Sequence, residues 1–240
     1  MCEKKWIEES PHFTARVPAD YAGLLRHWLE QAPACRGSVV YEARLAVAYS
    51  FNQQPEQARQ VLASVKKGAS PYGYLVELSE LVIENNQALK QGLDETRARQ
   101  LESKFRAFVK AHPKVPEGQA MLGGILTGLD KHEEAIKALR AGLESSTDLT
   151  GVYRNLTVSF AGAGRFKEAL SAADEAIGRD RNLSGDAYFV YAVAKANAAM
   201  GQLKEAETAL RLIAAKKPEV RRDPDFKEAV DFVTARSAKN

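Results

Sequence analysis

Apolar and small residues recur along this chain at steps of three and four, the period of a helix with one buried face. Residues 121–143 read MLGGILTGLDKHEEAIKALRAGL. Shifted by 34 residues, the pattern returns over 155–177 as NLTVSFAGAGRFKEALSAADEAI. Leu122 falls on Leu156, Leu126 on Phe160, Glu134-Ala135 on Glu168-Ala169 and Leu143 on Ile177. A third copy follows after three extra residues, where Gly164-Arg165-Phe166-Lys167-Glu168-Ala169 becomes Gly201-Gln202-Leu203-Lys204-Glu205-Ala206, and Pro218 closes it. Such a fixed period marks stacked supersecondary units, none of which can bury its apolar face alone. Each copy predicts two helices. Positions 4, 7, 8 and 11 are apolar or small in the first, and positions 20, 24, 27 and 28 in the second.

Two weaker copies precede these. Leu45, Ala46 and Tyr49 lead to Ala58 and Leu62 at the same internal spacing. Leu78 and Val82 open another first helix, whose partner carries Leu101, Phe105 and Phe108 and stops at His112-Pro113. That copy is about ten residues long for the period, and residues 85–95 are expected to absorb the excess as a connecting loop, of the length that often carries function. Prolines fall only at helix edges, as a missing N–H and a ring clash require. Small residues at position 8 (Ala46, Ser79, Gly123, Thr157, Ala194) and position 20 (Ala58, Ala135, Ala169, Ala206) predict close approach within each pair. A helix over 19–31 points Tyr21, Leu24, Leu25 and Trp28 inward, and one over 223–238 starts with Asp223 as N-cap, Pro224 in its first turn and a stripe of Phe226, Ala229, Val230 and Val233.

The chain therefore resembles a tetratricopeptide-repeat protein. The residues that carry the resemblance are Leu122-Gly123, Leu126, Ala135, Leu139 and Leu143; Tyr153, Leu156, Phe160, Ala169 and Ala176; and Val193-Ala194, Gly201, Ala206, Leu210 and Pro218. Gly142 departs from the family's usual Ala, and Thr147 and Arg181 from its closing Pro. The resemblance implies an all-α fold, a right-handed α-solenoid of about five helix pairs with flanking helices at both ends. The expected division is an N-terminal segment and helix over 1–38, the solenoid over 39–220 and a capping helix over 221–240.

It also implies where a partner binds. In this family the first helix of each pair lines the concave side, through positions 2, 5, 6, 9, 12 and 13. Carried onto this chain, those positions hold mostly small residues, with a cluster of Arg154, Asn155, Tyr188, Tyr191 and Lys195, and with Met121 and Arg44 from other copies. Arginine, asparagine and aromatic side chains together suit a peptide backbone, a carboxylate or an aromatic anchor. The plain alternative is internal: the tyrosines pack between copies and Arg154 pairs with a nearby acid. Only Asn155 matches the family's clamp for a C-terminal carboxylate, so that ligand is disfavoured. Glu77, Glu80 and Glu84 share one helix face, either solvated or an acidic wall of the groove.

Chemistry adds little to this picture. His12, His27, His112 and His132 fall in separate copies, and two cysteines give no metal spacing. His132-Glu133-Glu134 lacks the second histidine of a zinc-protease motif. Gly118, Gly123, Gly124 and Gly128 lie inside a helical period and lack the ending of a phosphate loop, which leaves close packing as their reading. Gly162-Ala163-Gly164 reads as the turn within a pair. No enzyme, metal or cofactor is expected. A net charge of +3, with Lys66-Lys67, Lys216-Lys217 and Arg221-Arg222 at helix C-termini, gives no nucleic-acid footprint. No run is long and apolar enough to cross a membrane. Residues 1–11 show no secretory h-region, so the default is a cytoplasmic protein with Cys2 and Cys35 as free thiols. A cysteine at position 2 also fits a lipid-anchored, periplasmic protein.

The expected function is non-catalytic: a module that binds a peptide or helix of a partner protein in its concave groove, as scaffold or adaptor, with self-association possible. The alternatives are an envelope-assembly lipoprotein anchored at Cys2 and a secretion-type chaperone.

Overall fold

A computed structural model of the 240-residue chain describes residues 21–30, 32–65, 71–145 and 150–238. The expectations for Cys2 and for residues 1–17 fall outside them. All regular structure among the described residues is helical. Helix α1 (Tyr21–Glu30) and the short α2 (Ala32–Cys35) lead into five pairs. These are α3 (Val39–Phe51) with α4 (Pro55–Ala63), α5 (Tyr74–Gln91) with α6 (Glu95–Ala111), α7 (Pro116–Gly128) with α8 (His132–Ser145), α9 (Thr150–Gly162) with α10 (Phe166–Arg179), and α11 (Ala187–Ala199) with α12 (Leu203–Lys216). Helix α13 (Pro224–Ser237) follows. Short 3-10 turns at Arg181–Gly185 and Pro218–Arg222 precede α11 and α13, and the first of them accounts for the longer spacing of the last copy.

The small residues sit where the pairs close. Ala46, Ser79, Thr157 and Ala194 on first helices are fully buried, as are Ala58, Ala135, Ala169 and Ala206 on second helices. A Cβ built on Gly123 would lie 2.5 Å from Leu139 Cγ, so α7 and α8 approach as only glycine allows. Ser79 and Thr157 satisfy their buried hydroxyls by donating to backbone carbonyls one turn earlier. The turn inside a pair needs a positive φ, supplied by Gly164 and Gly201 in two copies and by Gln53 and Asp130 in two others. The inner face of α1 places the buried Trp28 against Tyr41, whose hydroxyl donates to the Trp28 carbonyl at 3.0 Å. At the other end α13 carries Lys227 and the exposed Asp231 on its outer side, and Asp231 stands at position 8, where the earlier first helices have small residues.

Neighbouring first helices α7, α9, α11 and α13 pack in series, and each second helix packs on the next first helix, while neighbouring second helices stand apart. The stack is therefore tighter on the first-helix side and curves toward it. One step differs: α3 packs on α5, but α5 and α7 stand apart. Arg44 on α3 spans this step to Glu117 on α7, its guanidinium 3.3 Å from the carboxylate and both residues buried.

Two expectations change. Residues 85–95 are not a loop. Helix α5 runs on to Gln91, because the stretch after Asn85 holds no breaker before Gly92 and packs Ala88 into the core. Gly92, at φ 86°, ends the helix, and Asp94 caps α6 by accepting from Arg97 N. The excess length sits in two long helices of 18 and 17 residues. Cys35, expected as a free thiol, is disulfide-bonded.

Candidate functional site

Five of the seven candidate residues come together on the inner side of α9 and α11. They are Arg154, Asn155, Tyr188, Tyr191 and Lys195, and the acids of α11 and α13 join them. Arg154 grips Asp186 with two bonds, Nε to Oδ2 at 3.0 Å and Nη2 to Oδ1 at 2.9 Å. Its third nitrogen donates to Asn155 Oδ1 at 3.0 Å. The Asn155 amide nitrogen in turn faces Gly124, where a Cβ would come within 3.0 Å of it. Asp186 also caps α11 by accepting from Phe189 N. Burial alone would raise its carboxyl, but the hydrogen bonds and charge of Arg154 outweigh that and hold it below the usual range.

The next helix repeats the arrangement one copy on. Tyr191 stands where Arg154 stands, and Asp223 where Asp186 stands. Asp223 caps α13 through Asp225 N, and its other oxygen accepts from the Tyr191 hydroxyl at 3.4 Å. Tyr191 is 3% exposed, and burial, followed by Asp223, pushes its hydroxyl pKa up. Tyr188 differs sharply: it is 51% exposed and meets Tyr191 edge-on, centroids 6.0 Å apart. Lys195 donates to Glu228 at 2.6 Å and lies over the Phe232 ring. Phe232 also packs on Phe166 at the start of α10, so α13 folds across this end of the inner face.

The other two candidates lie elsewhere. Met121 is half-buried on α7 and packs against the core. Arg44 is 6% exposed and engaged with Glu117, so its charge is turned inward rather than offered to a groove. Burial pulls its pKa down, and Glu117 opposes that. The Glu77, Glu80 and Glu84 face is partly occupied within its own hairpin, Glu84 by Lys104 at 2.6 Å and Glu77 by His112 at 3.7 Å. His132 packs its ring against Gly162, where a Cβ would come within 2.2 Å of it.

The acids Asp186, Asp223, Asp225 and Glu228 were not among the residues the sequence singled out for binding. Their signal was present in two of them: an aspartate directly before each of the last two first helices, spaced as the copies are. An N-cap uses one carboxylate oxygen, which leaves the other free to reach the preceding helix. Among the described residues no three metal-binding side chains gather, and no helix is long and apolar enough to cross a membrane.

No family model and no curated protein matches the chain. Solved structures do. MamA AMB-1 is 20% identical over 73% of this chain and 96% of its own, with a TM-score of 0.50, and a point mutant of MamA reaches 0.51 at 20% identity over 73% of this chain and 95% of its own. The APC/C hetero-tetramer Cut9-Hcn1 aligns over 90% of this chain and 39% of its own chain, at 12% identity and a TM-score of 0.58. Similarity at these identities is a similarity of fold. The fold is the tetratricopeptide-type α-solenoid that the repeat pattern implied.

Proposed function

We propose that this protein is a non-catalytic interaction module that holds a helix or an extended segment of a partner protein on the inner side of α7, α9, α11 and α13. The observation that carries the reading is Tyr188. It is an aromatic ring left half-exposed on the side toward which the stack curves, while the other four candidates of α9 and α11 are buried or internally bonded. A half-exposed tyrosine in a concave site is the usual form of an interface anchor, apolar over its ring and polar at its tip. Gly124 and Gly128 on α7, two first helices away, carry no side chain and leave room for a chain to lie down. Helical solenoids of this fold serve generally as protein scaffolds, and the Cut9-Hcn1 neighbour is itself part of a hetero-tetramer.

The test is a cross-linked pull-down from native cells with wild type and Tyr188→Ala. Loss of an aromatic anchor is expected to lower recovery of the partner about tenfold, in line with the 1 kcal/mol or more such residues carry, at unchanged helix content. Equal recovery from both would move the site off this face.

A second reading is favoured by the disulfide at Cys35. Disulfides persist in oxidising compartments, which suits an accessory protein of the cell envelope. With two cysteines in the chain, an intramolecular disulfide and a lipid on Cys2 exclude each other. Thiol labelling of native protein before and after reduction tests it: a reactive Cys35 without reductant removes this support.

A further inference from the structure

The charges around Tyr188 do not suit every partner segment. The cations Arg154 and Lys195 on the inner side here are already engaged, Arg154 by Asp186 and Lys195 by Glu228. Asp223 and Asp225 have no cationic partner in hydrogen-bonding reach among the described residues. Asp223 receives a backbone N–H and a tyrosine hydroxyl, both neutral donors. Asp225 is exposed and follows Asp223 at the start of α13, and its carboxyl is pushed up first by desolvation and then by the charges of Asp223, Asp130 and Glu228, against a smaller opposing pull from Lys195. Tyr188 lies within the field of the same two aspartates, which raise its hydroxyl after desolvation does. The surface thus combines an open π-face with unpaired carboxylates beside it. An acidic or carboxylate-terminated segment would meet repulsion, and a purely apolar one would desolvate the aspartates without replacing their hydration.

We propose that this end of the inner face receives an arginine side chain of the partner segment, its guanidinium over the Tyr188 ring and its N–H groups on Asp225 and Asp223. The proposal rests on the groove reading above and adds the chemistry of the ligand. Arginine fits better than lysine because its planar fork stacks on an aromatic face and donates to carboxylates at the same time. Arg154 and Lys195 are each hydrogen-bonded to an acid of their own, and neither donates to Asp225. Partner choice would then come from charge as much as from shape, since a wrong sign is rejected by the same aspartates that accept the right one.

The test uses fluorescein-labelled pools of random 12-residue peptides with a fixed central Arg, Glu or Leu, titrated with the full chain and read by fluorescence anisotropy. The Arg pool is expected to bind about tenfold more tightly than the Glu pool. Its advantage should shrink as salt rises, because the pairing is near the surface. Asp225→Asn keeps a hydrogen-bonding group at the start of α13 and should remove most of that advantage, and Tyr188→Ala should weaken the Arg pool at unchanged helix content. Equal binding of the Arg and Glu pools, an Arg preference that survives Asp225→Asn, or no binding by any pool overturns the proposal. Preference for the Leu pool that is lost in Tyr188→Ala overturns the arginine while the groove reading stands. A preference untouched by either variant overturns both.

Discussion

Gly123 and Gly178 both sit in helices, and the same substitution should act on them with opposite sign. Glycine in a helix is less favourable than alanine by about 0.8–1 kcal/mol. At Gly178, on the exposed side of α10, a Cβ meets nothing within 4 Å, so Gly178→Ala should stabilise by roughly 0.5–1 kcal/mol. At Gly123 the new carbon would lie 2.5 Å from Leu139 Cγ and 3.2 Å from the Leu139 backbone nitrogen. Neither atom is the end of a flexible chain, and overpacking of this kind costs about 1–3 kcal/mol. Gly123→Ala should therefore destabilise despite its better propensity, and Leu139→Ala beside it should recover part of the clash term. Denaturant titration of wild type, the three single variants and the Gly123→Ala/Leu139→Ala double checks this, and strict additivity of Gly123→Ala and Leu139→Ala would show that the two do not touch. The binding residues were less legible than these packing residues, for a physical reason. A position in a repeat tells which way a side chain leaves the helix, but not what meets it. Arg154 and Lys195 leave on the inner side and are met there by acids from the next helix, 32 and 33 residues on. Tyr188 and Tyr191 look alike in the sequence, and what separates the buried ring from the open one is the packing of Tyr191 against Phe226 of α13 together with its bond to Asp223.

Between elements, the second pair is joined to the third through Glu102. Its carboxylate, on α6 and 6% exposed, accepts from Arg106 at 2.8 Å one turn on and from Lys131 Nζ at 2.7 and 2.8 Å in the α7–α8 turn. Burial would raise this carboxyl, but the two cations outweigh burial and hold it below its ordinary value of 4.5. The unfolded chain therefore takes up the proton first as pH falls. The stabilisation is present above about pH 4.5 and fades below it, as the pH passes through the lowered folded value. Glu102→Gln should cost about 1.5–3 kcal/mol at neutral pH, the range for hydrogen bonds to charged groups, and should flatten the pH dependence of stability in that acid window. Urea midpoints at neutral pH and near pH 3.5 measure both effects, and an unchanged slope would remove Glu102 from the joint. The same pair shows where reading elements from a period fails. Copy length implied a loop over 85–95, yet a helix stops at a breaker, not at an average length. Gly92 is the first residue after Asn85 able to end α5 cheaply, and Asp94 then restarts the chain. The other pairs were legible because each has its own stop, a left-handed residue or a proline, at the place where the apolar stripe ends.

At the scale of the whole stack, stability depends on neighbours. The main core runs without a break from Trp28 to Ala196, and a second cluster of α11, α12 and α13 continues it to Val233. In such a stack each pair owes much of its stability to the interfaces on either side, so damage at the centre spreads and damage at an end does not. Leu122 on α7 is 5% exposed and packs in the middle of the main cluster. Leu122→Asp puts a carboxylate into this apolar cluster, which is costly unless the surrounding structure opens to water. Opening α7 removes the seat of α6 on one side and of α9 on the other. Hydrogen exchange should then speed up across α5–α10, well beyond the mutated pair. Val233 on α13 is buried to a similar degree, but it has neighbours on one side only. Val233→Asp should speed exchange in α13 and the adjoining parts of α11 and α12 and leave α3–α9 as they were. If Leu122→Asp opened α7 and α8 alone, the pairs would be independent units. The Arg44–Glu117 link and the Glu102 joint would then carry no coupling between them, and the solenoid would be a string of hairpins rather than one cooperative body.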